Sequence, residues 1–415
     1  MKVAVLGGGI VGMSIGNQLL RDGYEVMVVE REPEGESASF GNAGIIADYA
    51  TIPLANPSTL RTLPGLLLSR RGSVSFRFSY LPSLIRFGFQ FFHASQERNF
   101  DRNHRILANL VPLACSKFQK FIVRFGLQDL VRSNGCLMVY RGEAAWRDAT
   151  RTQIPLRQAD GVQCSLVTPD EVQELEPAIP APRVRGGVLY PGTQHLIDPA
   201  AYRRRLTEIF VRGGGKLVNR SVEIIRETDE SSGFIAEGVE YNVDRIVIAM
   251  GPASHGLAAQ LGLRVPLVSE RGYHLMMDST ELNLSRPVGW MEHHFLMTPM
   301  RKGVRVAGTT EFAHPGAVPR ASRWSDMAGW VNELTGRTPV VSTQWVGARA
   351  STPDALPLIG WVTQAKRVAL ATGHNHIGLT CSALTAAMVS ELMHGENDSD
   401  LARHLSPSRF VVSRK

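Results

Sequence analysis

Cysteine is scarce in this chain. Cys115, Cys136, Cys164 and Cys381 are the only four in 415 residues. None forms a CxxC pair and none has a metal-ligand spacing, which argues against a zinc module and a disulfide scaffold. Four free thiols suit a reducing compartment. No apolar run reaches the ~18–20 residues that cross a bilayer. The first apolar run reads as a strand with glycines behind it, so no secretory leader is expected. A cytoplasmic location follows as the expectation, with a peripheral position on the inner face of the cytoplasmic membrane as its variant. There is no low-complexity segment and no repeat of fixed period. Lys and Arg exceed Asp and Glu by 45 to 38, giving a net charge of +7. The basic residues are scattered and carry no binding motif, which argues against nucleic acid. A mild attraction to an anionic surface or an acidic substrate remains. With 44% hydrophobic and 20% charged residues the composition is that of a globular protein, long enough for two cores.

The informative opening is VAVLGGGIVGMSIGNQLLRDGYEVMVVERE. Lys2 to Leu6 reads as a buried strand. Gly7, Gly9 and Gly12 form GxGxxG, and Val11, Ile15 and Leu19 follow on one helical face. Asp22-Gly23 closes the helix, and a second strand runs from Glu25 to Val29. Gly7 permits the tight turn, Gly9 lets backbone N–H groups approach a pyrophosphate, and Gly12, extended by Gly16, lets helix and strand pack closely. The helix N-terminus offers unpaired N–H groups and the positive end of its dipole. Glu30, 18 residues past Gly12, can accept ribose hydroxyls and would repel a 2′-phosphate. The motif therefore reads as a dinucleotide site, with FAD and NAD both open at this point.

Two later stretches bear on that choice. SASFGNAGII, Ser37 to Ile46, has the small residues of a loop passing along a cofactor, or of an ordinary turn. Near the C-terminus, Arg367 to Ala371 reads as a strand, Thr372 to Gly378 as a loop, and Leu379 to His394 as a helix stopped by Gly395. A helix N-terminus aimed at a flavin would stabilise the negative charge of its reduced form.

Taken together, GGGIVGMSIGNQL…VVERE, SFGNAG, DRIVIAMGPAS (Asp244 to Ser254), GARASTPDALPLIG and ATGHNHIGLT resemble the FAD-dependent D-amino acid oxidase superfamily. Within it the chain looks most like bacterial D-amino acid dehydrogenases and the related proline and hydroxyproline dehydrogenases. The resemblance runs nearly end to end. It implies an α/β fold: a Rossmann-like FAD-binding domain and an α+β substrate domain with a mainly antiparallel sheet. The FAD-binding domain would be discontinuous, 1–59, 191–268 and 342–415, with 60–190 and 269–341 forming the substrate domain.

The resemblance also nominates residues. Gly7, Gly9, Gly12 and Glu30, with Ile10, Val11 and Arg31 beside them, would hold the ADP half of FAD. Ser39, Gly41, Asn42, Ala43 and Gly44 would lie along pyrophosphate and flavin. Val222 would meet adenine, and Ala249 and Gly251 would pass beneath the cofactor. Gly373, His374, His376, Ile377, Gly378, Leu379 and Thr380 would wrap the isoalloxazine. Gly347 stands where some members carry the cysteine that binds FAD covalently, so FAD is expected to be non-covalent. Arg349 matches the arginine that clamps the substrate carboxylate, although Ala350 replaces the usual proline after it. Arg305 and Arg271 are weaker alternatives. Tyr273 and His274 are candidates for a polar group over the flavin, and no metal is expected.

The expected reaction is dehydrogenation of a D-amino acid, D-proline and D-hydroxyproline included, by hydride transfer from Cα to flavin N5. The amine must be neutral for this, and electrons would pass to a quinone or a carrier protein. The alternatives are a glycine- or sarcosine-type amine oxidase using O2, and an FAD-binding subunit of a larger redox complex. The stretch Leu60 to Phe92 is apolar, aromatic and basic, broken by Pro64 and Pro82. It reads either as buried helices with a snorkelling basic face or as a surface for a membrane or partner subunit.

Overall fold

A computed structural model describes residues 1–31, 37–68, 72–278, 282–396 and 399–410, with the backbone alone for 63, 64 and 66–68. The opening strand Lys2–Leu6 lies inside a six-stranded sheet. The strand order is Lys216–Val218, Glu25–Val29, Lys2–Leu6, Arg245–Ile248, Val368–Thr372, Leu358–Trp361. The first five strands pair in parallel and the sixth is antiparallel. Parallel neighbours require a crossover, and the helix Ile10–Arg21 supplies the first one. The strands are apolar on both sides because helices cover one face and the three-stranded meander of residues 222–243 with the helix Ser254–Gln260 covers the other; Val3, Ala4, Val5 and Leu6 are fully buried. Gly16 carries the close approach expected of it: a Cβ there would lie 3.0 Å from Val28 and 3.1 Å from Phe210. The helix Gly378–His394 packs against Ile10–Arg21.

A second sheet has nine strands and is mainly antiparallel. Its path runs Val341–Ser351, Val268–Met277, Gly303–Phe312, Phe295–Met300, Val288–Trp290, Cys136–Tyr140, Gly186–Tyr190, Ser165–Val167. Val74–Phe76 adds in parallel to Gly303–Phe312. The helix Ala321–Thr335 buries Met327, Trp330, Val331 and Leu334 against one face of this sheet. The other face turns towards the nucleotide-binding sheet. The mixed α/β architecture expected from the sequence is the one observed.

Two elements sit differently from the expected division. Val341–Ser351 is the edge strand of the nine-stranded sheet as a whole, because ladder pairing to Val268–Met277 continues to Ser351. The helix Glu97–Arg124 lies in the 60–190 insertion, yet its Leu107, Leu110, Val111, Ala114 and Phe118 join the core beneath Ile10–Arg21. Its length and mean apolarity match those of a membrane span. Its apolar face points into the protein, and Asn103 and His104 are buried with it.

The apolar and basic stretch forms the helix Pro57–Leu68, the strand Val74–Phe76 and the helix Leu81–Ala94; residues 69–71 lie outside the described residues. Pro64 does not break its helix. Pro82 sits in the first turn of Leu81–Ala94, where its missing N–H has no intrahelical partner to lose. Phe78, Leu81, Ile85, Phe89 and Phe92, spaced by three or four residues, are all exposed, Phe78 by 82% and Phe89 by 74%.

Candidate functional site

The opening turn closes only around glycines. Gly7 has φ +108°, and a Cβ there would lie 2.4 Å from the Ala249 carbonyl oxygen. A Cβ at Gly12 would lie 1.8 Å from the Gly7 carbonyl oxygen. Gly9 caps the helix and brings no side-chain acceptor, so N–H groups of the first turn face outward. The Gly8 N–H donates to Glu30 Oε2 at 2.6 Å, and the Ile10 N–H to Ser39 Oγ at 2.9 Å. Val11 stands beside them on the same turn. The Ala249 N–H donates to the Leu6 carbonyl at 2.7 Å. The Gly251 carbonyl, on a residue with φ +56°, accepts from Thr372 Oγ1. All of these gather at the carboxyl edge of the parallel sheet, where such folds take nucleotides. Exposed Arg31 follows Glu30, and Val222 opens the neighbouring three-stranded meander. An orphaned helix N-terminus, a turn with no room for Cβ atoms and an acid at the second strand's end together fit a dinucleotide such as FAD.

The loop from Ser39 to Gly44 is tied down from several sides. Asn42 Nδ2 donates to the Ser39 carbonyl, and Asn42 Oδ1 accepts from the Gly44 N–H. Ala43 sits between those two anchors. Arg305, 7% exposed, sends Nη1 to the carbonyls of Phe40 and Asn42 at 2.9 and 2.7 Å. His274 Nδ1 lies 3.0 Å from the Gly41 carbonyl, which can only accept, so Nδ1 carries the proton. Burial and the nearby Arg305 push the His274 pKa down to about 3, so the ring is neutral.

Above this loop, two strands present one face. Three cross-strand pairs define it: Glu270 opposite Arg349, Gly272 opposite Gly347, and His274 opposite Trp345. The paired glycines leave room that neighbouring side chains fill. The Trp345 ring lies over Gly347 and against Gly41, where a Cβ on either would come within 2.2 Å of it. His274 stacks on the same indole, with centroids 5.0 Å apart. The Arg349 guanidinium lies across Gly272, whose Cβ would be 2.2 Å from Nη2.

Glu270 is the hub of this face. It is 4% exposed and accepts from Arg349 Nη1 at 3.1 Å, Thr310 Oγ1 at 2.9 Å, Ser351 Oγ at 2.6 Å and His376 Nε2 at 2.8 Å. Burial alone would raise its pKa. His376, Arg349 and Ser351 outweigh that and hold the carboxyl well below the usual range, so it is ionised.

The C-terminal loop closes the site. Gly373 has φ +70°, and His374 Nε2 bonds Thr385 Oγ1 at 2.9 Å. Burial lowers the His374 pKa to about 4. Asn375 bridges to Thr352 and to the Ala350 carbonyl. The helix Gly378–His394 then starts after Ile377 with no side-chain cap, leaving the N–H groups of Gly378, Leu379 and Thr380 pointing out. Thr380 Oγ1 accepts from the Ala47 N–H, joining this loop to the end of the earlier one. Cys381 packs into the core beneath, and burial raises its pKa.

The structure thus brings together Arg349, His274, Gly347, His376 and the Ser39–Gly44 loop. Tyr273 points elsewhere: side chains alternate along Val268–Met277, and it faces the helix Ala321–Thr335 with its ring edge on Trp324. Its hydroxyl donates to Glu311 Oε2 at 2.6 Å, as does buried Arg271 Nη1 at 3.0 Å. The sequence reading passed over Glu270 and Trp345 and gave Arg305 no loop contact. Trp345 was visible in principle, since it shares the period-two face of Gly347 and Arg349. Nothing local marks Glu270 as the partner of Arg349; only strand register does.

A family model described as "DAO: FAD dependent oxidoreductase" matches residues 2–392. The D-amino-acid oxidase of Bradyrhizobium diazoefficiens is 29% identical across 99% of both chains. The D-amino acid dehydrogenase of Vibrio vulnificus is 26% identical across 97% of this chain and 98% of its own. Among solved structures, glycine oxidase from Geobacillus kaustophilus shares the fold with a TM-score of 0.76, at 20% identity and 99% coverage of each chain.

Proposed function

This chain belongs to the DAO family of FAD-dependent oxidoreductases, and we propose that it dehydrogenates a D-amino acid, cyclic ones such as D-proline and D-hydroxyproline included. The observation that carries this reading is the Arg349 guanidinium laid over Gly272, on the same sheet face as the stacked His274 and Trp345. A planar fork in that position suits a carboxylate held by two hydrogen bonds. The relatives named D-amino-acid oxidase and D-amino acid dehydrogenase support the substrate class.

FAD, held without a covalent bond, supplies a two-electron acceptor. The glycine turn, Glu30 and the Ser39–Gly44 loop would hold it, and Arg305 and His274 fix that loop. Arg349 anchors the carboxylate and so sets which hydrogen of the substrate points inward. Neutral His274 and stacked Trp345 give the sheet face beside Arg349 an uncharged stretch. The N–H groups opening Gly378–His394 favour developing negative charge. For a primary amine, water then releases the 2-oxo acid and ammonia; a cyclic amine leaves as its imine.

The electron acceptor in this reading is a quinone or a carrier protein. Its support is the exposed stripe Phe78, Leu81, Ile85, Phe89 and Phe92. No Asp or Glu occurs from residue 49 to residue 96, while Arg61, Arg70, Arg71, Arg77 and Arg86 do. An apolar stripe in a purely cationic segment is complementary to an anionic lipid surface.

The test is anaerobic bleaching of the bound flavin by a panel of D- and L-amino acids. Bleaching by D-amino acids, with slow peroxide formation in air, is expected. Bleaching by none of them or by L-forms alone overturns the substrate class, and one peroxide per turnover at full rate overturns the acceptor.

A further inference from the structure

Glu270 and His376 make a carboxylate–imidazole pair at the substrate end of the site, and no part of the hydride-transfer scheme above uses it. His376 sits on the C-terminal loop, two residues before the helix Gly378–His394. Its Nε2 lies 2.8 Å from Glu270 Oε1. The same oxygen receives Arg349 Nη1 at 3.1 Å. Nε2 and Nη1 are therefore at most about 6 Å apart, and Nδ1, across the ring, at most about 8 Å from Nη1, a span that a carboxylate and its neighbouring amine with a hydrogen bond at each end can bridge. The carboxylate and ammonium of an amino acid are neighbours on one carbon. A substrate clamped by Arg349 thus brings its nitrogen within reach of the His376 ring.

The state of the ring follows from its partner. An ionised carboxylate only accepts, so the nitrogen facing it carries the hydrogen. In the neutral ring that leaves a lone pair on Nδ1. The His376 side chain is 42% exposed, which gives a proton taken there a way out to water. Glu270 is 4% exposed and held by three other donors, so its orientation does not depend on His376.

We infer that His376 Nδ1 takes the proton from the substrate ammonium, and that Glu270 orients the ring and stabilises the imidazolium that forms. This rests on the amino-acid reading above. The balance is simple. The ammonium N–H bond breaks and its proton goes to Nδ1, leaving the electron pair on the amine. That pair would let the C–N bond become an imino double bond as the Cα hydrogen leaves with both its bonding electrons for the two-electron acceptor that FAD would supply. His376 afterwards returns its proton to water.

The charged and titratable groups facing His376 are Glu270, Arg349 and His294. His294, on the turn Met291–His293 and bonded to Ser73 Oγ, has its pKa lowered by burial, then by His293 and by His376 itself. It stays neutral near pH 7 and does not compete for the proton.

The test compares wild type and His376→Asn as FAD-loaded enzymes, reading the anaerobic bleaching rate by stopped flow from about pH 6 to pH 10. At neutral pH the variant should be slower by about 10²-fold, the usual worth of a positioned proton acceptor. The deficit should shrink at least ~10-fold towards pH 10, where free amine is supplied by solution, and added imidazole should recover part of it at neutral pH. No deficit, or one independent of pH and imidazole, overturns the inference. A second arm uses ¹⁵N-histidine NMR on wild type and Glu270→Gln. His376 should be the Nε2-protonated tautomer in wild type, and that preference should weaken in Glu270→Gln. The opposite tautomer, or a tautomer ratio unchanged in Glu270→Gln, overturns it. If wild-type flavin is bleached by no amino acid, the functional reading itself is lost, and this inference with it.

Discussion

Arg305 reaches across 263 positions of sequence to donate from Nη1 to the Asn42 carbonyl at 2.7 Å. The strand Gly303–Phe312 thereby holds the Ser39–Gly44 loop. Hydrogen bonds from a charged group contribute about 1.5–3 kcal/mol, and Arg305 makes two to this loop, at Phe40 and Asn42. Arg305→Met should raise the FAD dissociation constant by at least ~10-fold, read by fluorescence titration of the apoprotein. An unchanged constant would show that the loop is ordered by other contacts.

The back face of the same sheet is a stability device. Glu311, fully buried, accepts from Arg77, Arg271, Arg320 and Tyr273. Removing the carboxylate charge leaves the buried Arg271 guanidinium uncompensated. Glu311→Gln should cost about 3–5 kcal/mol in urea unfolding. Tyr273→Phe should cost about 1 kcal/mol and leave kcat within about twofold. A tenfold fall in kcat for Tyr273→Phe would instead place that hydroxyl at the substrate.

Acid should destabilise the fold through buried histidines. Burial lowers the pKa of His274 to about 3, and of His195 and His374 to about 4. In the unfolded chain each takes a proton near about 6.5. Between those values the unfolded state binds more protons, so stability falls as pH drops from about 6.5 towards 4, and the effect is absent above it. Glu270, held low, adds a further loss once pH falls below the usual carboxylate range. The thermal midpoint should therefore be flat above neutrality and decline below pH 6. His274→Asn should show a shallower decline. A midpoint constant from pH 7 to pH 4.5 contradicts the assignment.

The exposed stripe on Leu81–Ala94 makes a prediction that leaves the active site alone. Ile85→Glu with Phe89→Glu should reduce co-sedimentation with anionic phospholipid vesicles at least ~10-fold, because each charge must otherwise enter the interface. Substrate-dependent reduction of a soluble dye should not change. Equal binding by wild type to neutral vesicles would remove the electrostatic part of the argument.

The nucleotide half of the site was legible because its signals are local. Gly7, Gly9 and Gly12 are spaced by the geometry of one turn, and Glu30 by the length of one helix and one strand. The proposal of Arg349 as carboxylate clamp came only through the likeness of GARAST to a family motif. The roles at the roof of the site were not. Tyr273 and His274 are adjacent in sequence and face opposite sides of their strand, and which side meets the flavin loop is decided by what packs on each. Likewise Glu97–Arg124 reads as part of an insertion and packs with the nucleotide half, because its apolar face finds that core.

By itself, then, the sequence determined the turn, the helix start and the acid that hold a dinucleotide, since dihedral preferences and hydrogen-bond supply act over a few residues. Only the tertiary structure decided that Glu270 meets Arg349, 79 residues on, and His376 beyond it. Strand register selects such partners, and register depends on the whole sheet being packed at once.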